Sequence, residues 1–179
     1  GNAKKSGTYV PGRRDGDELQ VVSVVNFKGG SGKTTTSAHL AQRLALKGYR
    51  VLAIDLDPQA SLSALHGIQP ELDLMEGGTL YDAVRYDDPV PIAEVIRKTY
   101  IRGLDLISGN LELMEFEHET HAAIQRGGAK AFFAGVHDAL DSVEANYDVV
   151  VIDCPPQLGF LTMFLISAFT SDGVTVLIL

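Results

Sequence analysis

The sequence predicts an α/β fold, a doubly wound and mostly parallel sheet with helices on both faces. Three observations predict it. A glycine-rich stretch, Asn26-Phe27-Lys28-Gly29-Gly30-Ser31-Gly32-Lys33-Thr34-Thr35, lies between an apolar run and a helical pattern. Two further apolar runs, from Val51 and from Asp148, end in the aspartates Asp55 and Asp153. These runs are nearly continuous rather than alternating, as strands buried on both faces of a sheet must be.

Composition bounds the rest. The chain has 179 residues, of which 45% are apolar and 21% charged, the profile of a globular domain. The net charge of −8 argues against a surface given over wholly to DNA, which needs clustered Lys and Arg, while leaving room for a local basic patch. Cys154 stands alone, so neither an internal disulfide nor a cysteine-held cluster can form within one chain, and a reducing, cytoplasmic setting is expected. The longest apolar run, Leu158 to Thr170, is too short to span a bilayer, and no membrane partner is expected.

In chain order, residues 1–17 carry Lys4, Lys5, Arg13 and Arg14 among Gly and Pro and read as a flexible arm; residues 18–179 form the folded domain. Leu19 to Asn26 is the first strand. Thr34 to Lys47 is a helix with Ala38, Ala41, Leu44 and Ala45 on one stripe and Gly48 as its cap. Val51 to Leu56 is the second strand. Ala60 to Gly78 reads as a loop holding a short helix, Ser61 to Leu65. Thr79 to Arg85 and Ile92 to Lys98 read as two short helices. Leu104 to Ile107 is a short strand, and Asn110 to Glu119 a helix. Gln125 to Ala129 reads as a break, and Ala131 to Ala145 as an amphipathic helix. Asp148 to Asp153 is the next strand, Leu158 to Thr170 an apolar helix, and Val174 to Leu179 a final strand. A chain that opens on Gly1 and closes on a strand reads as a fragment, C-terminally incomplete.

The chemistry concentrates at the strand ends. Gly29, Gly30 and Gly32 let the backbone curl so that its N–H groups, with Ser31, converge as an anion nest. The start of the following helix adds partial positive charge. Lys33 supplies a full charge for outer phosphates, Thr34 a hydroxyl for Mg²⁺, and Thr35 follows within the same site. Strand, loop, Lys-Thr and helix in this order mark a P-loop NTPase. Asp55 and Asp57 end the second strand, where open α/β sheets carry out their chemistry. The bland alternative is an Asx turn before Pro58. Asp153 ends an apolar strand as a Walker B aspartate does, and would hold Mg²⁺. The stretch His118-Glu119-Thr120-His121 is one residue short of a zinc motif, and a solvated acidic helix end is the favoured reading. His39 and Cys154 read as packing or surface residues.

The glycine expected at Phe27 is missing, and a second lysine, Lys28, follows instead. Lys28-Gly29-Gly30-Ser31-Gly32-Lys33-Thr34-Thr35 resembles the deviant Walker A motif of the ParA/MinD class of P-loop ATPases. Asp55-Leu56-Asp57-Pro58-Gln59 and Asp153-Cys154-Pro155-Pro156 are similar to that class's second and third motifs. The stretches Ala53 to Leu65 and Gly109 to Glu117 look close to the ParA-type RepA proteins of repABC plasmids, and the similarity runs from about Leu19 to Leu179. The resemblance implies an ATPase that uses ATP and Mg²⁺ in plasmid or chromosome partitioning. It implies that Lys28 reaches the phosphates of a partner in an ATP-sandwiched homodimer and that Asp57 orients the attacking water. It implies that Asp55 supports Mg²⁺ or the loop. A centromere-binding, ParB-type protein would stimulate hydrolysis, and non-specific DNA would bind the full-length relative. Two alternatives stay open: a truncated, non-hydrolysing nucleotide-binding scaffold, or a MinD-like regulator.

Overall fold

A computed structural model describes residues 19–26, 30, 32–74, 77–126, 144–157, 159–160, 162–163 and 174–179. Among the described residues the strands are β1 (Gln20–Val25), β2 (Val51–Asp55), β3 (Ile96–Lys98), β4 (Leu104–Ile107), β5 (Val149–Asp153) and β6 (Val174–Ile178). They form one sheet in the order β3-β4-β2-β5-β1-β6. Every pairing is parallel except β3 with β4. The helices among the described residues are α1 (Lys33–Leu46), α2 (Ser61–Leu65), α3 (Pro70–Asp73), α4 (Leu80–Val84) and α5 (Leu113–Gln125). The expected doubly wound, mostly parallel sheet is what forms.

The pleat explains the two cores. Val51 and Ala53 of β2 and Val149 and Val151 of β5 pack with Ala38, Ala41 and Ala45 of α1 and Leu62 of α2. Leu52 and Ile54, with Val150 and Ile152, point the other way, against Leu80 and Val84 of α4 and Leu113 and Phe116 of α5. Helices thus cover both faces, and the continuous apolar runs are accounted for. The same alternation sends Asp55 and Asp153 toward α1 and α2, because each lies two residues beyond a side chain of that face. The two aspartates are also register partners across β2 and β5. Small alanines let α1 lie close to the sheet. Gly48 ends it, with its N–H donating to the Ala45 carbonyl at 2.9 Å and that of Tyr49 to the Leu44 carbonyl at 3.2 Å.

Two expected elements differ. Ile92 to Lys98 is a 3₁₀ turn over Ile92–Val95 followed by β3, not a helix. Pro91 and the β-branched Ile92, Val95 and Ile96 suit a turn and strand, and β4 offers a free edge to pair with. The Lys98 ammonium completes the pairing, 2.7 Å from the Asp105 carboxylate directly opposite. The helix expected to stop at Glu119 continues to Gln125, because Phe116 and Thr120 stay buried one turn apart. The expected break runs from Gln125 into residues 127–129, which lie outside the described residues, as does the expected helix Ala131–Ala145 up to residue 143. Most of Leu158 to Thr170 lies outside them too. Among the described residues no helix is long and apolar enough to cross a membrane.

Candidate phosphate-binding site

The sheet order places the ends of β2, β5 and β1 side by side, so the three loops that follow them meet. The first loop leads into α1. Gly30 and Gly32 hold φ of 74° and 78°, and a Cβ at either would meet open space. Backbone conformation rather than crowding therefore calls for glycine here. Gly32 is the N-cap of α1 and offers no side-chain cap. The first N–H groups of α1 are left facing outward, a natural anion site. Lys33 is buried at the first helical position.

Asp153 grips this turn from β5. Its Oδ2 accepts the Thr34 hydroxyl at 2.9 Å, and its Oδ1 accepts the Ser37 hydroxyl at 2.7 Å. Thr34 and Ser37 are three residues apart and share a helix face. Burial pushes the Asp153 carboxyl above the usual range, while bonds from Ser37 and Thr34 and the charge of Lys33 pull it down.

The second loop carries Asp57. Its Oδ1 accepts the Gln59 N–H at 2.9 Å, an Asx turn across Pro58 of the kind weighed as the bland alternative, and its side chain is half-buried. Gly30, Gly32, Lys33, Thr34, Thr35, Asp57, Ser61, Ala64, Leu65 and Pro156 line one cavity of about 710 Å³. A second cavity, about 580 Å³, lies beyond Asp57 between Pro155–Gln157 and α5. The first of these brings together glycine loop, lysine, hydroxyls and carboxylate, the donor set a triphosphate needs.

Asp55 behaves differently from its neighbours. It is fully buried, and its Oδ2 accepts the Ser63 N–H at 2.9 Å and the Ser63 hydroxyl at 2.7 Å. Its Oδ1 accepts the Asp57 N–H at 3.1 Å. Burial, outweighing these bonds, raises its pKa to about 7. Both oxygens are engaged by the chain itself. Of the two roles expected for Asp55, this geometry fits support of the loop.

Lys28, Gly29 and Ser31 lie outside the described residues. His118, Glu119 and His121 sit on α5; Glu119 accepts from Tyr81 Oη at 3.1 Å, and the His121 ring meets Phe160 edge-on at 4.9 Å. No three His, Cys, Asp or Glu side chains converge for a metal among the described residues. Cys154 is buried against the α4 and α5 core, and burial pushes its thiol up to about 12. Sequence reasoning passed over Ser37, whose place three residues after Thr34 was a usable signal. It also passed over Ser63, Ser108 and Gly109, which meet the site only through the fold.

The profile of the AAA domain family matches residues 19–178. A protein named "Putative replication protein A", from Rhizobium rhizogenes, is 61% identical over 171 residues, covering 94% of this chain and 42% of that protein. The chromosome partitioning protein ParA of Caulobacter vibrioides is 40% identical, over 88% of this chain and 55% of its own length. The sporulation initiation inhibitor protein Soj of Bacillus subtilis is 36% identical, over 88% and 57%. The chain therefore spans about half the length of these relatives. Among solved structures, the cobyrinic acid a,c-diamide synthase of Mycobacterium smegmatis, with a bound ATP analogue and magnesium, superposes with a TM-score of 0.72 at 32% identity, over 88% of this chain and 59% of that one. A plasmid partition protein from Borrelia burgdorferi gives 0.64 at 26% identity, over 89% and 64%.

Proposed function

The chain belongs to the ParA-type P-loop ATPases, the partition family of ParA and Soj, and we propose that it is a magnesium-dependent ATP hydrolase that switches between monomer and ATP-bridged dimer. The observation that carries this reading is the clasp of Thr34 by Asp153, in a turn that also lines one cavity with Lys33, Gly30, Gly32 and Asp57. Backbone amides of residues 29–33 and the Lys33 ammonium bind the phosphates. Thr34 and Asp153 would hold Mg²⁺, which when bound neutralises charge on the β- and γ-oxygens. Asp57 orients the attacking water. Phosphoryl transfer asks mainly for positioning and charge, and this set supplies both.

Lys28 acts on the phosphates of the partner, as an arginine finger does in GTPases, a contribution of roughly 10³–10⁵ in rate. Hydrolysis then depends on dimerisation, and loss of the γ-phosphate releases the pair. In the cytoplasm this switch serves partition of plasmid or chromosomal DNA, with a centromere-binding, ParB-type protein as partner, while non-specific DNA is a partner of the full-length family member.

ATP turnover and mass in solution test the assignment on Lys28→Ala and Lys33→Ala. Lys33→Ala is expected to lose nucleotide binding. Lys28→Ala is expected to keep binding and lose turnover by about 10³-fold or more. Both variants turning over ATP like the parent overturns these roles. A parent that binds ATP without turnover supports the scaffold reading instead.

A further inference from the structure

The geometry points to Ser63 and Ser108 as positioning residues that fix the Asp57 loop and α2 as one unit through the buried carboxylate of Asp55. The inference rests on the reading of Asp57 as the group that orients water. α2 cannot cap itself, because its N-cap is Ala60, which carries no side-chain oxygen. The acceptor for the Ser63 N–H comes instead from Asp55, eight residues earlier on β2. The same carboxylate takes the Asp57 N–H at 3.1 Å. One group therefore ties the catalytic loop to the helix beyond it.

A second hydroxyl extends the tie. Ser108 donates to the Ser63 oxygen at 2.8 Å, and Ser63 donates to Asp55 at 2.7 Å. All three side chains are fully buried, where each hydrogen bond is stronger than in water and polarises the next. Ser108 is itself anchored, its carbonyl accepting the Leu80 N–H at 2.8 Å from α4. Ser61, Ala64 and Leu65 of α2 line the same cavity as Asp57, Lys33 and Thr34. Whatever presses on that face of α2 is transmitted to Asp57 through Asp55. A helix cap alone would add stability, whereas this arrangement also sets the aim of a side chain.

The variants Ser63→Ala, Ser63→Thr and Ser108→Ala separate the two roles, with Asp57→Ala as control. Ser63→Ala is expected to lower kcat about 10- to 100-fold, with KM for ATP within about twofold of the parent. Ser63→Thr restores most of kcat, and Ser108→Ala gives a smaller loss. Hydrogen exchange reads the same tie whether or not the chain turns over. Peptides spanning Asp57 to Ser63 exchange about tenfold faster in Ser63→Ala, while β5 peptides keep their protection. Unchanged exchange at Asp57 in both alanine variants overturns the inference. So does a parent-like kcat in Ser63→Ala when Asp57→Ala is inactive. An active Asp57→Ala instead overturns the reading of Asp57 itself.

Discussion

Gly109 follows β4 and crosses the loop that leaves β2. A Cβ there would lie 2.7 Å from the Asp55 carbonyl oxygen, 2.8 Å from that of Asp57 and 3.1 Å from Leu113 Cδ1. Two of these neighbours are backbone and cannot swing aside. Gly109→Ala should therefore push the Asp57 loop away from β4 and cost about 1–3 kcal/mol, the usual range for overpacking. Urea unfolding checks the stability, and ATP turnover should fall with it. Gly30→Ala differs in kind, since open space surrounds that position and its φ of 74° alone resists the change. Ala60 already accepts such a conformation, at φ 54° and ψ 37°, at a cost of roughly 1–2 kcal/mol. It does so between the Asp57 turn and α2, where a loop under strain must be held by its neighbours.

Among the elements, α1 connects core to site. Ala38, Ala41 and Ala45 seat it on the sheet, while its first turn carries Lys33 and Thr34. Ala41 is wholly buried on the side facing β2 and β5. Ala41→Leu is expected to cost about 1–3 kcal/mol and to lift the helix from the sheet. Lifting α1 lengthens the Thr34 and Ser37 bonds to Asp153, so nucleotide affinity should fall although no site residue has changed. Calorimetric titration with a non-hydrolysable ATP analogue measures it. Conservative Ala41→Ser, matched in volume, should leave affinity near the parent value.

At the scale of the molecule, burying Asp55 makes stability depend on pH. Its folded pKa of about 7 lies above the unfolded value near 3.9, so the contribution is full below pH 4 and is lost as pH rises toward 7. Between pH 5 and pH 8 the parent should lose about 3 kcal/mol relative to Asp55→Asn, which carries no titrating group there. Urea midpoints at the two pH values supply the comparison. Much of the architecture was legible in the chain. Apolar runs ending in aspartate marked β2 and β5, and the glycines before Lys33-Thr34 marked the turn into α1. β3 was not legible, because its place depends on the edge of β4 rather than on its own pattern. Nor was the bond between Asp55 and Ser63, since register and loop path decide which side chain a buried carboxylate meets.

The thiol of Cys154 sits next to Asp153, sealed in the core and held protonated far above neutral pH. Alkylating reagents act on thiolates, so this sulfur stays silent while the strand ends remain closed. Its labelling rate is then a clock on the opening of the β5 terminus. A nucleotide that draws the three loops together would slow that clock with no probe added to the protein.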